Sequence, residues 1–294
     1  MRQRRSMSRL RDIRRLDIGR HFGASRGIGL EYVRQLAEHS ENIVFALVRN
    51  RVKATELAAI TASTRNIHIV EADVVNAASL KVAADEVANI NGGSLDILIH
   101  NAALLKNETF FHSFADYENS EALDTDFIES FKVNVLGVIH TINAFLPLLR
   151  KGMTKKIIVL GAGGGDPDFV WKTRQSPLAA YETSKGACAV ATAKYAALLE
   201  EEGFTVVSLS PGLVHTGEAP IRLLDAWSNY VTTMTRVNPG IQLMPQNVAD
   251  SVGMQLKVID IVKQSDAGGI LSHRGVDALS GGKGGRDMDI RVYL

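Results

Sequence analysis

Short, β-branched apolar runs alternate with helix-like segments from Phe22 onward, and this alternation constrains the fold more than any other feature. The strand-like runs cover residues 42–48, 67–70, 95–100, 156–160 and 205–209. Helical periodicity covers 29–39, 55–62, 79–90, 127–149 (with a break near Pro147), 181–201 and part of 245–262. Uninterrupted apolar strands between helices are typical of parallel strands that are buried on both faces. The sequence therefore predicts a single-domain, doubly wound (Rossmann-type) α/β fold, with a mostly parallel sheet and helices on both faces.

Composition excludes several other classes of protein. The chain has 294 residues, with 46% hydrophobic and 22% charged residues, as in ordinary globular domains. Cys188 is the only cysteine, so the chain forms no intrachain disulfide, and we expect a reducing, cytoplasmic location and no metal site. We predict no membrane span, because the longest uncharged run, residues 133–149, contains His140, Asn143 and Pro147 and is typical of a buried helix.

The two ends of the chain differ from the body. Residues 1–21 are basic, and the first 20 hold eight arginines against Asp12 and Asp17. This segment is expected to be a disordered or divergent N-terminus, with a mitochondrial presequence as the alternative. Residues 22–275 form the predicted domain, and the glycine-rich residues 276–294 form a loose tail. Without the first 20 residues the chain carries 25 basic and 30 acidic residues, so no nucleic-acid partner is expected.

A glycine-rich loop precedes the first predicted helix. Residues 22–29 read FGASRGIG, with glycines at 23, 27 and 29. Glycines at such a turn let the backbone approach a pyrophosphate, and the free amides of the helix N-terminus favour its negative charge. The position of the loop in the first α/β unit indicates a dinucleotide site.

Five motifs occur in one order along the chain. They are FGASRGIG (22–29), HNAA (100–103), KVNVLG around Asn134, YETSK (181–185) and SPGLVHT (210–216). Together they resemble the short-chain dehydrogenase/reductase family over residues 22–275, and residues 166–181 are especially similar to fungal members. That resemblance implies a nicotinamide cofactor, a small carbonyl or alcohol substrate, and a homodimer or homotetramer. Some fungal members serve secondary-metabolite pathways.

The cofactor would be NADP(H). The predicted second strand ends in Arg49 with no acidic residue near it, and Arg26 in the glycine loop is a second cation that suits a ribose 2′-phosphate. The alternative is that both are ordinary surface arginines. The resemblance places the other cofactor contacts at Gly23, Ser25, Gly27, Ile28, Gly29, Asp73, Asn101, Lys132, Tyr181, Lys185, Val214 and Thr216.

Tyr181 and Lys185 carry the predicted chemistry. They are four residues apart and so share one face of a helix. An ammonium near the phenol is expected to lower the pKa of Tyr181, which then exchanges a proton with the substrate oxygen. By resemblance, Lys185 also holds the nicotinamide ribose and Asn134 holds a water of the proton relay.

One catalytic group of the family is missing. A serine usually follows the fifth strand, but here its position falls on Ala162, or on Gly161 after a shift of one residue. One lost transition-state hydrogen bond costs about 10²–10³ in rate. The enzyme is then slow, or a hydroxyl of Thr173 or Ser176 replaces the serine, or the protein binds nucleotide without turnover.

The expected first strand is also unusual. Residues 16–22 read LDIGRHF, although a central parallel strand should be apolar and Phe22 stands where the family has threonine. Either residues 1–21 are a divergent or wrongly assigned N-terminus, or strand one is short and poor.

We therefore predict an NADP(H)-dependent oxidoreductase that acts on a small hydrophobic substrate. Residues 217–243 correspond to the family's variable substrate lid, and their apolar content favours such a substrate. The alternative is a weak or inactive NADP(H)-binding protein. Sugar-nucleotide epimerases share the Tyr/Lys pair, but they need a larger C-terminal domain than the chain holds after Thr216.

Overall fold

The computed structural model describes residues 14–18, 24–216, 224–237 and 245–274. In these residues seven parallel strands form one sheet in the order β3-β2-β1-β4-β5-β6-β7. The strands are β1 (Arg14–Ile18), β2 (Ile43–Val48), β3 (Ile67–Glu71), β4 (Ile97–His100), β5 (Lys156–Leu160), β6 (Thr205–Ser210) and β7 (Ile270–Ser272). The predicted doubly wound, parallel α/β fold is confirmed.

Nine α-helices are present in the described residues. They are α1 (Gly27–Ala37), α2 (Thr55–Thr61), α3 (Ala77–Asn91), α4 (Ser120–Phe131), α5 (Gly137–Leu149), α6 (Pro167–Thr173), α7 (Ala179–Leu198), α8 (Leu224–Val237) and α9 (Val248–Ile261). A π-helical turn (Lys132–Leu136) joins α4 to α5 without a break. The resulting helix from Ser120 to Leu149 has the length and apolarity of a membrane span, but 61% of its most apolar window is buried inside the protein.

The core has two layers, one on each face of the sheet. Side chains of α3, α5 and α7 pack on one face, for example Val87, Phe145 and Cys188. Side chains of α1, α2 and α9 pack on the other, for example Leu36 and Ile259. Because strands β2 to β6 are covered on both faces, their carboxyl ends remain as the open edge where a ligand can bind.

Several elements differ from the sequence-based expectation. The long helix begins at Ser120, where the side chain of Asn119 accepts a hydrogen bond from the Ala122 amide, and not at 127. Pro147 does not break it, because it lies in the last turn and Arg150 still bonds to Leu146. No helix was predicted between β5 and Tyr181, but α6 lies there. Strand β7 was not predicted either.

The first strand lies earlier than the expected residues 16–22, inside the segment 1–21 that the sequence analysis set apart from the domain. β1 runs for five residues between β2 and β4, in register with Ile43–Leu47 and Ile97–His100. The predicted phosphate-loop residues Phe22 and Gly23 and the tail 276–294 lie outside the described residues.

Candidate active site

The candidate site lies at the carboxyl edge of the sheet, where β4, β5 and β6 end. The N-terminal half of α7 and the π-helical turn pack over this edge. Ligands of doubly wound sheets bind in this position because the strand ends and the helix N-termini converge there.

Tyr181 and Lys185 share one face of α7, as predicted. The Lys185 Nζ lies 5.6 Å from the centre of the Tyr181 ring and donates a hydrogen bond of 2.7 Å to the Leu160 carbonyl oxygen. That bond ties α7 to the end of β5. Lys185 is buried, so its ammonium group is held in a fixed position beside the phenol.

The pKa of Tyr181 is shifted in the direction opposite to the predicted one. Burial raises the pKa of Tyr181, and the carboxyl group of Glu182 and the thiol of Cys188 raise it further. Burial also lowers the pKa of Lys185, because a low-dielectric environment disfavours the charged amine. Burial of the pair thus opposes the lowering of the Tyr181 pKa that the sequence predicts from its neighbour Lys185.

Asn134 lies in the π-helical turn and is buried. Its Oδ1 accepts a hydrogen bond of 2.6 Å from the Leu104 amide, and its Nδ2 donates to the Leu104 carbonyl at 3.1 Å. Nδ2 also lies 2.8 Å from the Ser184 Oγ on α7. Asn134 thus joins the segment after β4 to α7, and its side chain is engaged in these structural contacts; its expected role in holding a water stays a prediction.

The loop after β5 contains the two positions, 161 and 162, at which the resemblance places the family's serine. Gly161 has no room for a side chain, because an added Cβ would overlap the Ser208 Oγ on the neighbouring strand. Ala162 has an extended backbone and is half-buried. The position that tolerates a hydroxyl-bearing side chain is therefore 162, where the chain has only a methyl group.

Glycines in this loop allow α7 to approach β5. A Cβ on Gly165 would lie 2.9 Å from the Lys185 carbonyl carbon and 3.0 Å from the Gly186 nitrogen. Real Cβ contacts are longer than this, so a larger residue at 165 would push α7 and Lys185 away from the end of β5.

Neither expected substitute for the serine is well placed. The Thr173 hydroxyl is buried and donates to the Phe169 carbonyl at 2.8 Å within α6. Ser176 is exposed to solvent. A threonine in the last turn of a helix commonly bonds to its own backbone in this way, so the Thr173 hydroxyl is engaged within α6.

Three residues that the sequence did not single out as a group meet beside Tyr181. Gln175 donates from Nε2 to the Glu182 carboxyl group and accepts at Oε1 from the Tyr230 hydroxyl at 2.6 Å. Burial raises the pKa of Glu182 to about 8 and also raises that of Tyr230. Only the position of Glu182, directly after Tyr181, signalled its importance in the sequence.

The expected phosphate-binding segment begins α1. Gly27 has φ +56°, a conformation that favours glycine, and Gly29 is buried against the core. The side chain of Arg26, the N-cap residue of α1, makes no capping hydrogen bond. Ser25 and Ile28 are partly buried in the same segment.

Other expected cofactor residues surround this edge. Arg49 is exposed at the end of β2, and Asn101 is buried after β4. Asp73 accepts a bond of 3.1 Å from the Val75 amide, so its carboxylate fixes the turn after β3. The neighbouring His100 is buried, and burial and Lys185 lower its pKa to about 3, so it is neutral.

The remaining predicted residues lie on either side of this group. Val214 and Thr216 are half-buried after β6, where Val214 pairs with Gln246 as an isolated parallel bridge. Lys132 is exposed in the π-helical turn, whereas Asn134 is buried.

The family model for short chain dehydrogenases matches residues 22–221. A short-chain dehydrogenase/reductase of Arthrinium sp., atnB, is 36% identical over 263 residues, which cover 86% of this chain and 96% of that protein. AacuF of Aspergillus aculeatus, also a short-chain dehydrogenase/reductase, is 34% identical over 264 residues, with the same coverage of each chain.

A solved structure has the same fold. The NADPH-bound carbonyl reductase from chicken fatty liver superposes with a TM-score of 0.72 at 28% identity and covers 90% of this chain and 98% of its own. The ordered motifs, the parallel sheet and these relatives lead to one conclusion: the chain belongs to the short-chain dehydrogenase/reductase family of NAD(P)-dependent oxidoreductases, with fungal relatives.

Proposed function

We propose that this protein is an NADP(H)-dependent oxidoreductase that interconverts a carbonyl and an alcohol on a small, hydrophobic substrate. The observation that carries the proposal is the position of Tyr181 and Lys185 on one face of α7, with the Lys185 amine fixed to the end of β5. The rings of Phe110 and Phe111, 4.8 Å apart, supply an apolar surface. The next residue, His112, accepts a backbone hydrogen bond of 3.1 Å from Ala179 in the first turn of α7.

The residues present fit a dinucleotide. The positive φ of Gly27 and the position of this segment at the N-terminus of α1 suit a pyrophosphate, because backbone amides and a helix N-terminus stabilise negative charge. Arg49 is exposed at the end of β2, where a 2′-phosphate is bound in such folds, and no acidic side chain follows that strand directly. This supports NADP(H) over NAD(H).

The bound nicotinamide supplies or accepts the hydride. In the reductive direction Tyr181 donates its phenolic proton to the carbonyl oxygen, and in the oxidative direction it removes the proton of the alcohol. Lys185 orients the ribose and, as an ammonium ion, stabilises the phenolate that forms. Asn134 holds the segment after β4 against α7, so the cofactor and Tyr181 keep their relative positions.

A second candidate function is NADP(H) binding with little turnover, and one observation favours it. The side chain at position 162 is a methyl group, Thr173 is engaged within α6, and Ser176 is exposed. No hydroxyl in these positions therefore assists Tyr181 in holding the substrate oxygen.

The test is NADPH consumption with benzaldehyde, acetophenone, diacetyl and cyclohexanone, with Tyr181→Phe as the inactive control. Consumption that requires Tyr181 supports the oxidoreductase. Tight NADPH binding without consumption across this panel would replace it with the second candidate.

We further propose that the protein is cytoplasmic and forms homodimers. Exposed apolar side chains on α4 and α7, among them Ile128, Phe131 and Val190, support pairing through these helices. Light scattering on the purified protein tests this: a monomer mass would contradict the dimer.

A further inference from the structure

A continuous chain of side-chain hydrogen bonds joins α8 to α7. The Tyr230 hydroxyl of α8 donates to the Gln175 Oε1 at 2.6 Å, and the Gln175 Nε2 donates to the Glu182 carboxyl group. Glu182 directly follows Tyr181 on α7. Helix α8 therefore reaches the residue next to the proposed acid through a single intervening side-chain amide.

This chain of hydrogen bonds lies where three segments of the protein converge. Phe111 follows β4, Gln175 follows β5 and Tyr230 follows β6, so all three come from the carboxyl edge of the sheet. The Phe111 and Tyr230 rings are 6.4 Å apart. Because a ligand of this fold binds at that edge, these residues lie on the substrate side of α7.

Because Gln175 is buried, loss of its hydrogen bonds would destabilise the contact between α8 and α7. Gln175 is 7% exposed, and its amide uses both its oxygen and its nitrogen in the chain. A buried polar group that loses its partner is strongly destabilised, since no water replaces the lost bond. Gly164 provides the space, because a Cβ there would overlap the Glu182 carboxyl group.

We propose that Tyr230 and Gln175 are positioning residues that seat α8 against the N-terminal turn of α7 through Glu182, and so form the substrate-side wall. This rests on the proposed oxidoreductase function, because the wall acts on a carbonyl substrate. These bonds connect α8 to Glu182, which is on the same helix as Tyr181. Substrate affinity then depends on these bonds, whereas NADPH affinity does not.

Two variants break this chain of hydrogen bonds, and one preserves it. Tyr230→Phe removes only the donor hydroxyl, and Gln175→Met removes both amide bonds at similar size. Glu182→Gln keeps an oxygen that accepts from Gln175. Tyr195→Phe is the matched control, because it also deletes a tyrosine hydroxyl bonded to an amide oxygen, that of Asn143 at 2.7 Å, but between α7 and α5.

Hydrogen exchange of the α8 amides and steady-state kinetics provide the two readouts. In Tyr230→Phe and Gln175→Met we expect exchange over 224–237 and KM for the best carbonyl of the panel to rise about tenfold, with the NADPH dissociation constant unchanged. Glu182→Gln and Tyr195→Phe should keep wild-type protection of α8.

Unchanged α8 exchange in both chain-breaking variants would overturn the proposal, as would a rise of equal size in Tyr195→Phe. The exchange arm needs no turnover. A wild-type protein without carbonyl reduction would therefore contradict the proposed function, while exchange still decides whether the chain seats α8.

Discussion

The Lys185 amine donates a hydrogen bond of 2.7 Å to the Leu160 carbonyl oxygen and so fastens α7 to the end of β5. The amine lies 5.6 Å from the centre of the Tyr181 ring, one turn earlier in the same helix. The position of the proposed acid therefore depends on a contact between helix and sheet.

Lys185→Met should abolish most catalysis while the fold persists. Methionine fills the buried space but cannot donate to Leu160 or orient a ribose, and loss of one such electrostatic contact typically costs about 10²–10³ in kcat. Rates of NADPH oxidation measure this. Lys257→Met, an exposed lysine on α9, is the control and should be neutral; wild-type rates in Lys185→Met would refute the assigned role.

Ala162→Ser should raise the rate of carbonyl reduction by about 10²-fold, because it restores a hydroxyl at the position where the family has its catalytic serine. Gly161→Ser is the matched comparison: its Cβ would overlap the Ser208 Oγ, so this variant should lose thermal stability without a gain in rate. An unchanged or lower rate in Ala162→Ser would mean that another group already fills the serine's role.

Arg49→Glu should weaken NADPH binding by about 10- to 100-fold, because it replaces the guanidinium proposed to bind the 2′-phosphate with a carboxylate that repels it. NADH binding should change far less. Arg65→Glu makes the same charge change at an exposed position before β3, and it should leave both affinities unchanged. Equal losses in the two variants would indicate a general effect of net charge, contrary to a specific role of Arg49.

Stability should fall with rising pH because of Glu182. Burial raises the pKa of this carboxyl from 4.5 to about 8, so between these values the folded state holds a proton that the unfolded state has released. The free energy of unfolding then decreases with pH by up to about 1.4 kcal/mol per unit over that window, and not above it. Urea unfolding from pH 5 to 8 should give a shallower slope in Glu182→Gln; identical slopes would contradict the assignment.

Short apolar runs in the sequence were sufficient to predict most of the sheet, and the resemblance of YETSK to the family motif singled out Tyr181 and Lys185. Strands such as Ile43–Val48 are uninterrupted apolar runs that contain β-branched residues, and their short length favours buried strands over helices. β7 escaped detection because Ile270–Ser272 is too short to show a pattern. α6 had a usable signal, since Asp166 followed by Pro167 is a common helix start.

Other parts of the site depend on tertiary structure. The π-helical turn that buries Asn134 is defined by backbone bonds that no residue spacing reveals. The chain from Glu182 to Tyr230 joins residues that are 48 positions apart through Gln175, and only the folded sheet edge brings them together.

Titration of the purified protein with NADPH and, separately, with NADH by calorimetry tests the central claim most directly. We predict tight binding of NADPH and much weaker binding of NADH, because Arg26 and Arg49 favour the 2′-phosphate. Absence of binding to either nucleotide would contradict the proposed function, and equal affinities would contradict the NADP(H) preference.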